Sequence, residues 1–495
     1  MDSIEKLQWL RSKAGKSLSC GLPEQTIRYF LGQDSTLQEA ICLAYSQRAA
    51  LPKTFDNLCQ LDEQELITHL SEGFLNFYPV ETVSPYVPLA ARGPWIITLS
   101  GAVIYDVGGY GMIGFGHNPM EIEAALASPY VMANIMTPSF SQRTFIDLLR
   151  EKIGFTRSDN KCPFAKFICM NSGSEAMAVA TRISDAHAKR LTDIGQPYQG
   201  HTIRILSLSG SFHGRTTRPA RISHSTRGKY QALASYRDLP ESIIVEPNNI
   251  AQLEDTLGKL REQKVYLEAI ALEPVMGEGN PGLAITRDFY DAVRRLSREM
   301  NSFLIIDSIQ AGLRAQGVLS IVDYPDFKDC EPPDMEAYSK ALNGGQFPLS
   351  VLAMSKEAAE SYAPGTYGNT MTANPRALEV GIAVMNLVDD SVRSNVQKQG
   401  VEFLSKLNKL KEDFEPGVII KVQGTGLLVS VELRPDILVV GHDGVEQKMR
   451  RRGVNVIHGG KNSLRYTPHF RISSDELDLL CQVTQEAIQA QLSEI

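Results

Sequence analysis

From about Tyr86 onward, short apolar runs alternate with longer stretches of helical period, and this alternation limits the fold more than any other feature of the chain. Residues 102–107 read as a strand entering a glycine-rich turn. Residues 167–170, 203–208, 269–272, 303–306 and 350–354 read as further strands, each followed by a loop and usually by a helix such as 287–300. Such a pattern predicts an α/β domain with a mainly parallel sheet, whose ligands gather at the carboxyl ends of the strands. Residues 375–414 are mostly helical with a break at Asp389-Asp390. Beyond them, 418–422, 427–433 and 455–457 read as strands and 474–492 as a closing helix, capped by Ser474 with acids in its first turn. The expected organisation is a helical extension over 1–80, including helix-like stretches at 37–46 and 63–77, then the first part of a small domain over 81–116. A large domain over 117–395 and a smaller α+β C-terminal domain over 396–495 follow.

Composition excludes several classes. With 50 Lys and Arg against 57 Asp and Glu the chain carries a formal charge of −7. That argues against a general nucleic-acid binder, because attraction to phosphates needs a basic excess. Arg450-Arg451-Arg452 is too short a run to change this. With 43% apolar and 22% charged residues, long disorder is not expected. No secretory leader is visible and no run approaches the ~20 apolar residues that span a bilayer. Seven cysteines without paired spacing read as reduced thiols of a cytoplasmic protein, and neither they nor the nine histidines show metal-ligand spacing, so no metal is expected.

Two motifs invite other readings. Gly109-Tyr110-Gly111-Met112-Ile113-Gly114 satisfies G-x-G-x-x-G, but Gly116, Asn118 and Pro119 delay the helix that a dinucleotide fingerprint needs, and 127–143 contains no acid. Gly210-Ser211-Phe212-His213-Gly214-Arg215-Thr216 has the wrong spacing for a nucleotide phosphate loop, and Arg where that loop carries Lys.

Three other groups carry chemistry together. Asn171-Ser172-Gly173-Ser174-Glu175 follows an apolar strand and opens a helix, whose first backbone N–H groups, carrying about +0.5 charge, suit a phosphate. A simple Ser cap is the alternative. Asp307 ends the apolar run 303–306, where a carboxylate is expensive unless it meets a cation or several donors. Lys340, in Tyr338-Ser339-Lys340-Ala341-Leu342-Asn343-Gly344-Gly345, is either an exposed loop residue or an amine in a dry pocket, poised as a nucleophile. Pyridoxal 5′-phosphate would account for all three, since it presents a phosphate, a pyridine nitrogen and an aldehyde.

From about Tyr86 to its C-terminus the chain resembles the class III aminotransferases of the ornithine and ω-amino-acid type, pyridoxal-phosphate enzymes of fold type I. The resemblance rests on 171–176, 211–216, Glu273-Pro274-Val275-Met276-Gly277-Glu278-Gly279, 306–310, 333–345, 367–375 and Leu464-Arg465-Tyr466-Thr467-Pro468. It implies that Lys340 bonds to the aldehyde and later shuttles a proton, and that Asp307 keeps the pyridine nitrogen protonated. Phe212 would stack on the ring, Gln310 would contact its 3-hydroxyl, and Gly173 with Ser174 would hold the phosphate. Thr370 would reach the phosphate of a neighbouring subunit, which implies a homodimer with shared active sites.

For substrates, the resemblance gives Arg465 the α-carboxylate of glutamate or 2-oxoglutarate, with Glu278 pairing to that arginine when an ω-amine donor is bound. Arg215 would take the far carboxylate, and Tyr86 and Tyr110 would contact or orient the donor's α-amino end. The implied reaction moves a terminal amino group from an ornithine- or lysine-like donor to 2-oxoglutarate by a ping-pong mechanism. An aminomutase, racemase or decarboxylase of the same fold, a relative without turnover, and a nicotinamide-dependent dehydrogenase are the alternatives. The chain departs from the family at Ser308, Met276, Ala178 and Thr372-Ala373, which changes the pocket wall and second layer but none of the cofactor-activating groups.

Overall fold

Seven strands build the sheet on which the chemistry-bearing loops sit, in the order Lys166–Met170, Ser350–Met354, Met335–Tyr338, Phe303–Asp307, Val265–Leu272, Thr202–Leu208, Ile243–Val245. Ser350–Met354 runs antiparallel to both neighbours, and the four pairings from Met335–Tyr338 to Ile243–Val245 are parallel. The computed structural model describes residues 1–132, 135–237 and 242–494. The chain divides into two compact units, one of Ala124–Gln397 with Gly424–Leu428, which holds this sheet, and one of Met1–Glu123, Lys398–Gln423 and Val429–Ile495.

The sheet core is apolar for a local reason. The helix Gly173–Thr192 buries Ala176, Met177, Val179, Ala180 and Ile183 against Ala269, Ala271, Phe303, Ile305, Met335 and Ala337. Alanine on both sides lets helix and strands approach closely. Each large side chain buried there contributes about 1.5–3 kcal/mol. The helix starts where it does because of a capping box, in which Ser172 Oγ accepts from Glu175 N while Glu175 Oε2 accepts from Ser172 N.

The other unit contains two four-stranded sheets. In the first, Pro88–Arg92, Trp95–Thr98 and Val103–Asp106 are antiparallel, and Val454–Asn455 adds in parallel beside Val103–Asp106. Helix Ser35–Ala50 is tied to this sheet by Trp95 Nε1, which donates to the capping residue Asp34 at 2.7 Å. In the second sheet, Ser463–Tyr466 lies between Leu428–Leu433 and Ile457–Gly459, antiparallel to both.

Several local expectations change. The closing helix Ser474–Leu492 is capped by Ser473, because Glu476 stands three residues after Ser473 and completes a capping box there. The single strand expected over 455–457 is divided between the two sheets. The helical stretch from Glu63 ends at Ser71, ahead of Gly73 with φ 84°. After Val103–Asp106, the glycine-rich stretch forms only a 3-10 turn, Gly109–Gly111, and the next helix begins at Met120. It therefore lacks the helix start that a dinucleotide site requires.

Candidate active site

The loops leaving the carboxyl ends of the parallel strands bring most of the expected residues together. After Met170, the first turn of helix Gly173–Thr192 presents the N–H groups of Gly173 and Ser174, which meet no acceptor among the described residues. The loop after Thr202–Leu208 closes over this turn. Gly214 adopts φ 110°, a Cβ there would stand 2.5 Å from Ser174 Oγ, and Arg215 N donates to that same Oγ at 3.1 Å. This cradle fits a phosphate, with free donors at the positive end of a 20-residue helix. Glu175 Oε1 accepts from the Tyr367 hydroxyl and from Asn369 Nδ2, which fixes the segment carrying the exposed Thr370 to the same turn.

Asp307 closes its strand and is 3% exposed. Its Oδ2 lies 2.9 Å from His213 Nδ1, and its Oδ1 accepts from Ile309 N at 3.1 Å. Because a carboxylate only accepts, the imidazole proton sits on Nδ1. That leaves His213 Nε2 buried and without a hydrogen-bond partner. Glu273, also buried, accepts from Phe212 N at 2.8 Å and from Gly277 N at 2.9 Å, joining the loop of Phe212 to the loop of Glu278. Burial pushes the Glu273 carboxyl up to about 7. The Arg215 guanidinium lies 5.4 Å from the Phe212 ring.

Lys340 opens a 3-10 turn directly after the Met335–Tyr338 strand and Ser339, and takes φ 44°, a conformation that costs a lysine energy. Its Nζ donates to Gln310 Oε1. Gln310 is 5% exposed, and its amide Nε2 is buried with no partner. A Cβ on Gly277 would stand 2.5 Å from Gln310 Cγ, so the Glu278 loop packs on Gln310 and has no room for a side chain at that position.

The remaining predicted residues belong to the other unit. Arg465 lies on Ser463–Tyr466, opposite Ser430 and Ile457, and at 1% exposure is not a surface residue. Its guanidinium is 5.7 Å from the ring of Tyr110, which takes φ 47° in the glycine-rich turn. Tyr86 is buried and lines one cavity with Tyr110.

Sequence reasoning assigned no role to His213, Glu273 or Glu336. All three sit inside segments that carry the resemblance, and only their contacts come from the structure. Glu336 lies on Met335–Tyr338, fully buried, and accepts from Ser308 Oγ at 2.6 Å, Ser320 Oγ at 2.5 Å and Ile321 N at 3.0 Å. The family's acid next to Asp307 is Ser308 here, and the strand alongside supplies a carboxylate to that hydroxyl.

A helix-start phosphate cradle, a buried carboxylate at a strand end, a half-buried lysine and two buried nitrogens without partners all fit pyridoxal 5′-phosphate. Fold and site together define a pyridoxal-phosphate-dependent transferase of fold type I. The family model for class III aminotransferases matches residues 78–488, and the chain belongs to that family, whose members depend on this cofactor.

Individual relatives agree. The chain is 27% identical over 409 residues to an ornithine aminotransferase of Staphylococcus carnosus, covering 82% of this chain and 94% of that protein. It is 31% identical over 327 residues to an acetylornithine aminotransferase of Clostridium acetobutylicum, covering 66% and 77%. Among solved structures, the ornithine aminotransferase of Toxoplasma gondii superposes with a TM-score of 0.74 at 21% identity, covering 89% of this chain and 98% of that one. The acetylornithine aminotransferase of Elizabethkingia anophelis gives 0.67 at 21%, covering 87% and 100%.

Proposed function

We propose that this aminotransferase moves the terminal amino group of an ornithine- or lysine-like donor to 2-oxoglutarate by a ping-pong mechanism. The observation that carries this reading is Arg465, a guanidinium buried on a strand beside the Tyr110 ring, because a planar fork of donors matches a carboxylate through two parallel hydrogen bonds. Both groups of relatives named above are aminotransferases of ornithine or its acetylated form.

When bound, pyridoxal phosphate supplies an aldehyde that condenses with amines and a ring that withdraws electrons from the carbon bearing the nitrogen. Gly173, Ser174 and the helix start would hold its phosphate. Asp307, fixed by His213 and Ile309 N, would hold a proton at the pyridine nitrogen, Gln310 would meet the ring hydroxyl and Phe212 would stack on the ring. Lys340 Nζ would be the base that takes the proton from the donor carbon and gives it back. Arg465 binds the acceptor's α-carboxylate, Arg215 the far carboxylate, and Tyr86 and Tyr110 receive the donor's far end.

A homodimer is part of the same reading, with Thr370 serving a second subunit. Val131, Ile135, Met136 and Phe140 are each more than half exposed, an apolar surface that a second copy would cover. All seven cysteines are unbridged, which supports a reducing, cytoplasmic compartment. Among the described residues no helix is long and apolar enough to cross a membrane, and no group of His, Cys, Asp or Glu is placed to hold a metal ion.

An absorbance titration tests the function. Ornithine, lysine, N-acetylornithine and 4-aminobutyrate are added in turn to the yellow holoenzyme, followed by 2-oxoglutarate. Bleaching restored by 2-oxoglutarate with formation of glutamate is the expected result. Turnover without the keto acid would instead mark an aminomutase, racemase or decarboxylase.

A further inference from the structure

A cavity of about 190 Å³ in the unit that holds the seven-stranded sheet shares no lining residue with the active site. Arginines line it from two elements. Arg204 comes from the strand Thr202–Leu208, and Arg218 and Arg221 come from the short helix Thr217–Ile222, three residues apart and hence on one face. Arg218 is already paired, donating to Asp185 Oδ2 at 3.0 Å and to Glu268 Oε1. The other two meet no carboxylate at ion-pair distance among the described residues. Arg204 donates to the adjacent Ile203 carbonyl at 2.9 Å. Arg221 makes no side-chain hydrogen bond or ion pair among the described residues, and its Nε is buried without a partner.

The charged groups lining the cavity are these three guanidinium groups and the carboxylates of Asp185 and Glu268, both of which accept from Arg218. Burial pushes the Glu268 carboxyl up to about 7, and Asp185 adds to this against the pull of Arg218 and Arg221, so its negative charge is only partly present at neutral pH. Positive charge is therefore in excess. Ile205 and Ile222 complete the wall and strengthen the field by keeping water back. Clustered guanidinium groups repel one another, and a buried donor left unpaired is costly. An oxyanion removes both penalties, since planar forks of N–H groups match its oxygens in pairs. The volume lies below the roughly 300–1,000 Å³ of pockets that take drug-sized ligands, which limits the occupant to a small ion.

The helix Thr217–Ile222 is fastened at both ends to the loop of the cofactor cradle. Before it, Arg215 N and Thr216 Oγ1 donate to Ser174 Oγ and Ser174 O, each at 3.1 Å. After it, Ser223 Oγ accepts from His213 N at 2.8 Å, and Ser242 Oγ donates to the Arg221 carbonyl at 3.0 Å.

We propose that this cavity is a second anion site, which takes a small oxyanion between Arg204 and Arg221, and that its occupancy steadies the loop 211–216 through the helix Thr217–Ile222. The effect on the cofactor rests on the reading that this loop closes over the cofactor's phosphate, whereas the anion site does not depend on it.

Calorimetric titration of the holoenzyme with inorganic phosphate and, separately, with succinate tests the site, in the wild type, Arg221→Gln and Arg204→Gln, at ionic strength matched with sodium chloride. At least one of the two is expected to bind the wild type, and about tenfold or more weakly after either substitution. Response to phosphate alone marks a phosphate site, to succinate alone a dicarboxylate site, and to both a general oxyanion site. Succinate held by the substrate arginines is untouched by these substitutions, so only the heat lost in the variants counts. Thermal melts check that the variants fold, and either folded variant suffices. No binding to the wild type, or binding equal in a folded variant, overturns the site and leaves the aminotransferase reading intact. Hydrogen exchange in peptides across 211–223 should slow when the oxyanion is added to wild-type holoenzyme and stay unchanged in Arg221→Gln. Exchange unmoved in the wild type while binding persists overturns the link to the loop.

Discussion

His213 Nδ1 lies 2.9 Å from Asp307 Oδ2, with both side chains buried, so the carboxylate at the end of the central strand is positioned by an imidazole from the neighbouring loop. On the reading that Asp307 pairs with a protonated pyridine nitrogen, removing one partner of that buried charged pair costs about 3–5 kcal/mol. Asp307→Asn is therefore expected to slow turnover by hundreds-fold or more if that cost appears at the barrier. His213→Phe, which leaves the carboxylate in place but unheld, should cause a smaller loss. Single-turnover bleaching by the best donor measures both. Equal rates in Asp307→Asn and wild type would remove Asp307 from the mechanism.

Lys340 is expected to carry the cofactor. Borohydride reduction of holoenzyme followed by peptide mass mapping should place the tag on the peptide containing Lys340, and Lys340→Ala should lose both the tag and turnover. A tag on another lysine would refute the assignment.

Gly214 is required by both its backbone and its surroundings. With φ 110° and a Cβ position 2.5 Å from Ser174 Oγ, Gly214→Ala must distort the cradle, at a cost of about 1–3 kcal/mol. Titration of apoenzyme with pyridoxal phosphate should show roughly tenfold or weaker binding, since 1.4 kcal/mol is a factor of ten. Unchanged affinity would mean that the loop does not hold the phosphate.

Glu336 makes stability depend on pH. Burial raises its carboxyl from 4.5 to about 7, against the pull of the Ser308, Ser320 and Ile321 donors. Between those two values the folded chain holds a proton there that the unfolded chain has released, so stability from this group is present below about 4.5 and is lost as pH rises toward 7. In Glu336→Gln, urea unfolding at pH 5, 6 and 7 should show a pH slope reduced by up to ~1.4 kcal/mol per pH unit. An unchanged slope would show that Glu336 is already ionised across this range.

Arg465→Lys is expected to raise KM for 2-oxoglutarate about tenfold or more, because a point ammonium cannot reproduce the paired hydrogen bonds of a guanidinium. The donor half-reaction with 4-aminobutyrate, which lacks an α-carboxylate, should be affected less. Equal losses in both would make Arg465 structural.

Much of the fold was legible because its signals are local. Continuous apolar runs such as 303–306 cannot face water, and the helix at Gly173 begins at a capping box confined to four residues. Ser463–Tyr466 does not read as a strand, because Arg465 interrupts a run of only four residues and its burial depends on the strands at either side. The capping residue Ser473 was displaced by one position because two serines adjoin and only the geometry of Glu476 chooses between them.

The sequence by itself determined the α/β class and the dependence on pyridoxal phosphate, since strand-end positions and motif order are properties of the chain alone. Tertiary structure decided the partnerships. His213 faces Asp307 across 94 residues, Glu336 reaches Ser308 from the adjacent strand, and helix Glu63–Ser71 shares a cavity with Tyr110. Such contacts depend on which elements become neighbours when the apolar surfaces are buried, and no local pattern in the chain encodes that choice.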